Sequence, residues 1–188
     1  MVINMYLIVG LGNPGDEYTS TRHNAGFQTI DKLCKKYNIT LDKENFHSLY
    51  TKTKLFDEDV IICKPLTFMN LSGQALIELT HFYKIDSDNI IVIYDDMDTP
   101  IGKLKMKKNG SSGGQKGMAS IINMMHTEEI KRIKIGTGRP NIPVVDYVLQ
   151  TPSKEEQVLI SSSQDRAVLI IENYLKHGFD YALSRYNK

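Results

Sequence analysis

Four short apolar runs, at residues 6–10, 60–64, 90–94 and 133–136, constrain this chain most. Each is strand-length and rich in Ile and Val. The stretches between them repeat their apolar residues every three or four positions. Phe27, Ile30, Leu33, Cys34 and Tyr37 make one such helical face, and Leu71, Ala75, Leu79, Phe82 and Tyr83 another. Buried strands alternating with amphipathic helices predict an α/β layered fold. Residues 47–56 read as a half-exposed strand and 118–125 as a helix. Ser153 and Glu156 spell a capping box that opens a long last helix ending near Gly178. Its core candidates are Val158, Leu169, Ile170 and Leu175. No linker, repeat or low-complexity tract interrupts the 188 residues, which suits one domain.

The first strand runs into Gly10-Leu11-Gly12-Asn13-Pro14-Gly15, which spells the dinucleotide-binding fingerprint G-x-G-x-x-G. That motif needs a helix opening on the glycines and an acid at the end of a second strand, ~20 residues on. Here Pro14-Gly15 makes a turn and a polar stretch follows, while the positions near 30–36 fall inside a helix. The glycines are expected instead to turn the chain and present Asn13 and Tyr18 at the sheet edge. Gly110-Ser111-Ser112-Gly113-Gly114 also matches G-x-S-x-G, the serine-hydrolase elbow. The elbow's strand is central and apolar; the strand here is Lys103-Leu104-Lys105-Met106-Lys107, with its lysines on one face. A flexible loop running into a helix, with Lys116 in or near the first turn, fits better. A cation there opposes the helix dipole unless an anion lies between them.

Charge divides unevenly along the chain. Residues 103–139 carry nine Lys/Arg against two acids, net +7, while the rest is net −6. A neutral protein with one basic segment is suited to meet a polyanion on that side, although a lysine-rich surface alone has the same look. No apolar run approaches the ~18 residues of a membrane span, and no signal peptide is expected. Cys34 and Cys63 lie in apolar segments without metal or redox spacing, so they read as free thiols in a reducing compartment.

The polar signatures gather at strand ends, where open α/β sheets bind ligands. Asn13, Asn70, Asp95 and the Gly136–Arg139 stretch each follow an apolar run. Asp95-Asp96-Met97-Asp98 suits Mg²⁺, a plain turn, or the orientation of a histidine. His23 is the candidate partner for that last role. These parts make a hydrolase without a covalent nucleophile. His23 takes a proton from water and Asp95 supports the imidazolium. Asn13 and Asn70 donate to a carbonyl or oxyanion. The basic strand holds an anionic part of the substrate, such as nucleic acid. Ester and amide remain equally open at this point.

The segments "LIVGLGNPGDEYTSTRHNAGF", "KPLTFMNLSG", "DDMDTPIGKLKMKKNGSSGGQKGM" and "RIKIGTGRP" together resemble bacterial-type peptidyl-tRNA hydrolase. The resemblance implies a single-domain, three-layer α/β/α sandwich with a mixed twisted sheet. It implies a cytoplasmic, monomeric enzyme without metal or other cofactor, membrane contact or obligate protein partner. Its substrate would be the ester that joins a peptide or N-blocked amino acid to tRNA. The same likeness places the catalytic histidine at His23, its supporting aspartate at Asp95 and the residue that distinguishes N-blocked substrates at Asn13. It places substrate contacts at Tyr18, Phe68, Met69, Asn70 and Lys116, and tRNA phosphate contacts at Lys105, Lys107, Arg132 and Lys134. The glycine loop departs from the family pattern. Ser112 and Gln115 stand where relatives often carry histidine, and Lys116 where they carry asparagine. A non-catalytic RNA-binding relative on the same fold is the alternative.

Overall fold

The structure is a computed structural model that describes residues 4–186. Its centre is a seven-stranded mixed sheet in the order β2-β3-β4-β1-β5-β7-β6. The strands are β1 (Met5–Gly10), β2 (Lys43–Asn45), β3 (Ser48–Leu55), β4 (Glu58–Pro65), β5 (Ile90–Asp96), β6 (Leu104–Lys107) and β7 (Lys131–Gly136). The four apolar runs of the sequence form the parallel centre, β4, β1, β5 and β7. The mixed-polarity strands pair antiparallel at the two margins. This is the expected division: central strands covered on both faces are continuously apolar, whereas marginal ones alternate.

The helices divide between the faces. On one side, α1 (Ala25–Lys36), α5 (Lys154–His177) and α6 (Phe179–Tyr186) pack over Ile8, Ile62, Ile93 and Ile133. On the other, α2 (Ser72–Tyr83) and α3 (Lys116–Met125) pack over Leu7, Val9, Ile61 and Val92. A short helix, α4 (Val144–Val148), joins β7 to α5. Successive β1 residues feed opposite cores, so a one-residue register slip would exchange both. The result is the three-layer α/β/α sandwich expected from the sequence.

Several sequence expectations shift. The capping box forms as read: Glu156 N donates to Ser153 Oγ and Ser153 N to Glu156 Oε1. Yet Val158 is 70% exposed and Leu169 38% exposed, so neither is core. Ile160, Ala167, Val168, Ile171 and Tyr174 make the buried face of α5 along with Ile170 and Leu175. Leu71, just before α2, and Phe82 within it are exposed as well; Leu76 takes the core position, and Phe82 packs on Phe46 at the β2–β3 turn. Gly178 ends α5 as expected, but α6 follows at once and buries Phe179 and Ala182. Cys63 is buried and Cys34 half-buried; both are free, and burial pushes their thiols up to about 12 and about 11, so neither is a ready nucleophile. No helix among the described residues is long and apolar enough to cross a membrane.

The glycine motif has a packing purpose. A Cβ on Gly10 would fall within 3.0 Å of the Gly26 carbonyl, and one on Gly12 would enter the Phe27 ring. Only Gly15 of the three has a positive φ, at 116°. Two of the glycines therefore let the start of α1 press onto the end of β1, and one makes the turn. That close approach carries His23 to the sheet edge.

Candidate active site

The chain reaches the site through a three-residue 3-10 turn, Arg22–Asn24, immediately before α1. His23 Nδ1 lies 2.8 Å from Asp95 Oδ2, and both side chains are buried. Asp95 sits at the end of β5, beside β1 in the sheet. Two residues 72 positions apart meet because their strand ends are neighbours. Burial lowers the His23 pKa, attraction and hydrogen bonding to Asp95 raise it, and Lys116 lowers it; the net is upward from 6.5. With Nδ1 on the carboxylate, Nε2 is left as the ring's free nitrogen.

Asn24 and Asn13 close the loop after β1. Asn13 N donates to Asn24 Oδ1 at 2.8 Å, and Asn24 Nδ2 donates to the Asn13 carbonyl at 3.0 Å. Asn13 Oδ1 accepts from Met69 N at 2.8 Å. The side-chain oxygen is thus committed, which leaves Nδ2 as its unbonded donor. Met69 opens the 3-10 turn Met69–Leu71 that follows β4. The same turn places Asn70 and Phe68 in the open, with Phe68 57% exposed.

Gln115 has a part here that reading the loop did not assign. Its Nε2 donates to Asp95 Oδ1 at 3.0 Å, and its Oε1 accepts from Met118 N at 2.7 Å, capping α3. The backbone of α3 fixes the amide orientation, the amide fixes one carboxylate oxygen, and the other oxygen fixes the histidine. Glutamine is not among the favoured N-cap residues, so the sequence carries no signal for this cap. That the capping amide also touches Asp95 is a tertiary fact.

These groups line one cavity of about 260 Å³. Asn13, His23, Asp95, Phe68, Met69, Asn70 and Lys116 all border it, and α4 supplies an apolar wall through Val144, Val145 and Val148. Tyr18 is not among its lining residues; it sits in the turn Asp16–Tyr18, where its carbonyl accepts from Thr21 Oγ1. Asp96 is used by its own turn, accepting from Thr99 Oγ1 and Asp98 N. Ser112 is not a lining residue of this cavity either.

The basic residues separate into two kinds. Lys105 and Lys107 of β6 are exposed, and Met106 between them is buried. Lys134 is buried, 3.8 Å from Asp96 Oδ2, and burial first, then Lys107, Arg132 and Lys105, lower its pKa against the pull of Asp96. Arg132 corrects the sequence reading. It is fully buried, and its guanidinium donates to the carbonyls of Ile130, Ser111 and Glu128. It staples the glycine loop to β7 instead of reaching outward to a phosphate. Spacing carries no warning of this, because an arginine opposite Lys107 in the β6–β7 register reads as part of the basic face.

Fold and site together define an α/β protein that holds a histidine–carboxylate pair and free amide donors in an open pocket beside a basic strand. That is equipment for activating water next to an anionic ligand. The family model described as "Peptidyl-tRNA hydrolase" matches residues 7–188. A peptidyl-tRNA hydrolase of Alkaliphilus metalliredigens is 46% identical over 184 residues, covering 97% of this chain and 100% of the relative. One of Clostridium botulinum is 44% identical over 183 residues, covering 97% and 96%. The crystal structure of peptidyl-tRNA hydrolase from Acinetobacter baumannii superposes with a TM-score of 0.93 at 34% identity, covering 100% of this chain and 96% of that one. The chain belongs to the peptidyl-tRNA hydrolase family.

Proposed function

We propose that this chain hydrolyses the ester between an N-blocked aminoacyl or peptidyl group and the 3′-terminal ribose of tRNA. The carrying observation is the 2.8 Å bond between His23 Nδ1 and Asp95 Oδ2, which leaves Nε2 free at the cavity. His23 Nε2 takes a proton from water as the water oxygen attacks the ester carbonyl. Asp95 stabilises the imidazolium. Asn13 Nδ2 and the Asn70 amide donate to the oxyanion. When the tetrahedral intermediate collapses, the carbon–oxygen ester bond breaks, and the imidazolium returns its proton to the ribose oxygen. The products are a free carboxyl and a tRNA 3′-hydroxyl. No step calls on a metal or organic cofactor.

Lys105 and Lys107 lie along the edge strand as point charges for tRNA phosphate, with Lys134 behind them. Lys116, Phe68 and Met69 border the space for the acyl and terminal nucleoside groups; Tyr18, outside that lining, is proposed as a further substrate contact. The enzyme acts in the cytoplasm as a monomer, residues 1–188 forming one catalytic domain that has tRNA as its partner. A purely RNA-binding role would leave the oriented His23–Asp95 pair without purpose.

Turnover of N-blocked against unblocked aminoacyl-tRNA tests the reading. The blocked substrate is expected to react and the unblocked one not, and His23→Ala is expected to abolish release while tRNA binding persists. Full turnover in His23→Ala would refute the mechanism.

A further inference from the structure

Three consecutive side chains of the turn Arg22–Asn24 each hold a different part of the site. Asn24 holds the Asn13 loop and His23 holds Asp95. Arg22 turns the other way. Its guanidinium carbon lies 4.0 Å from the centre of the ring of Tyr147, the fourth of the five residues of α4. Nη1 donates to the Tyr147 carbonyl at 3.2 Å, and Nη2 lies 3.2 Å from Glu156 Oε1, in the first turn of α5. Its own N–H donates to the carbonyl of Gln150, just past α4. Arg22 is buried, although a charged side chain is rarely so without a partner.

The helix it grips has little else. Of the five residues of α4, only Tyr147 and Val148 are buried; Val144 and Val145 are exposed along the cavity. Five residues are too few to be helical unaided. The Tyr147 hydroxyl bond to the Thr137 carbonyl and the Arg22 clamp are its polar ties to the body.

We propose that Arg22 is a positioning residue that pins α4 as the apolar wall of the cavity, so that the acyl end of the substrate meets a fixed surface. This rests on the reading that an ester substrate occupies that cavity. The side-chain contacts of Arg22 run to α4 and α5 and not to His23 or Asp95. Its contribution therefore falls on binding more than on the chemical step.

The test pairs kinetics with amide exchange. In Arg22→Gln, KM for N-blocked aminoacyl-tRNA rises about tenfold, equivalent to about 1.4 kcal/mol, while kcat stays within about twofold. Exchange of the Tyr147 amide in α4 and of the Leu149 and Gln150 amides that close its C-terminal end, which donate to the Pro143, Val145 and Tyr147 carbonyls, quickens, and that of α1 does not. Glu156→Gln is the milder variant, since glutamine also serves a capping box. It weakens the clamp, raises KM about two- to threefold, and serves if Arg22→Gln does not fold. Unchanged KM and unchanged α4 exchange in a folded variant overturns the proposal. So does a fall in kcat with KM unchanged, which would mean that Arg22 acts by placing His23. A wild-type chain inactive on the substrate would end the functional reading alone, because exchange needs no substrate and still judges Arg22.

Discussion

Asp95→Asn reverses the direction of a hydrogen-bond chain whose polarity the structure fixes at one end. Met118 N donates to Gln115 Oε1, Gln115 Nε2 donates to Asp95 Oδ1, and Asp95 Oδ2 receives His23 Nδ1. An asparagine at position 95 must offer its oxygen to Gln115, because turning Gln115 over would break the α3 cap. Its amide nitrogen then faces His23 Nδ1, which becomes an acceptor. The proton moves to Nε2, and the base is lost. Stabilising the wrong tautomer in a buried site costs about 1–3 kcal/mol, and losing the charged hydrogen bond to the imidazolium about 1.5–3. Together these lower kcat/KM by roughly 10² to 10⁴. The remaining activity should titrate at lower pH than wild type, since attraction to Asp95 raises His23.

The same polarity predicts a rescue. A glutamate at position 115 can accept from both Met118 N and the introduced asparagine, which turns the asparagine's oxygen back toward His23. Asp95→Asn combined with Gln115→Glu should therefore recover about tenfold over Asp95→Asn alone, with the negative charge one residue further from the ring. Release of the acyl group from N-blocked aminoacyl-tRNA, across a pH series, measures both variants. A double variant no better than the single one, or Asp95→Asn within tenfold of wild type, would refute the directional account.

Two further predictions use the charges around the pair. His23 must be neutral to act, and its pKa lies above 6.5, so kcat/KM should climb through a midpoint above 6.5. Lys116 disfavours the imidazolium, so Lys116→Met should move that midpoint to higher pH, opposite to Asp95→Asn; a pH–rate profile decides. For tRNA, log affinity should fall with log salt with a slope of about −0.7 to −0.9 per neutralised phosphate, and Lys107→Gln should shrink that slope by about one unit. A slope unchanged in Lys107→Gln would remove the edge strand from the tRNA-binding surface.

What was legible in the sequence was local. The four apolar runs form the four central strands, because strands covered on both faces favour continuous apolar side chains. The Ser153–Glu156 box and the lysine face of β6 are likewise decided within a few residues. Val158, Leu169, Leu71 and Phe82 lie outside the core because apolar residues recur on more than one face of these helices, and the sequence alone does not say which face meets the sheet. His23 and Asp95 were legible only through strand-end logic, which says which residues can meet. Gln115, Arg22 and the burial of Arg132 depend on side-chain direction across elements that no spacing encodes.

The sheet's basic margin shows why such placements persist. Lys105 is paired directly with Lys134, and Lys107 with Arg132, in the β6–β7 register. Like charges opposite one another destabilise a sheet. The fold relieves this from within: Asp96 draws on Lys134, and three backbone carbonyls enclose the Arg132 guanidinium. Lys105 and Lys107 have no such partner among the described residues; they are exposed, and their charge is left to water and to anions from outside. The strain is thus resolved for the two inner cations and left open at the two outer ones. That asymmetry suits the role proposed for Lys105 and Lys107 as contacts for tRNA phosphate.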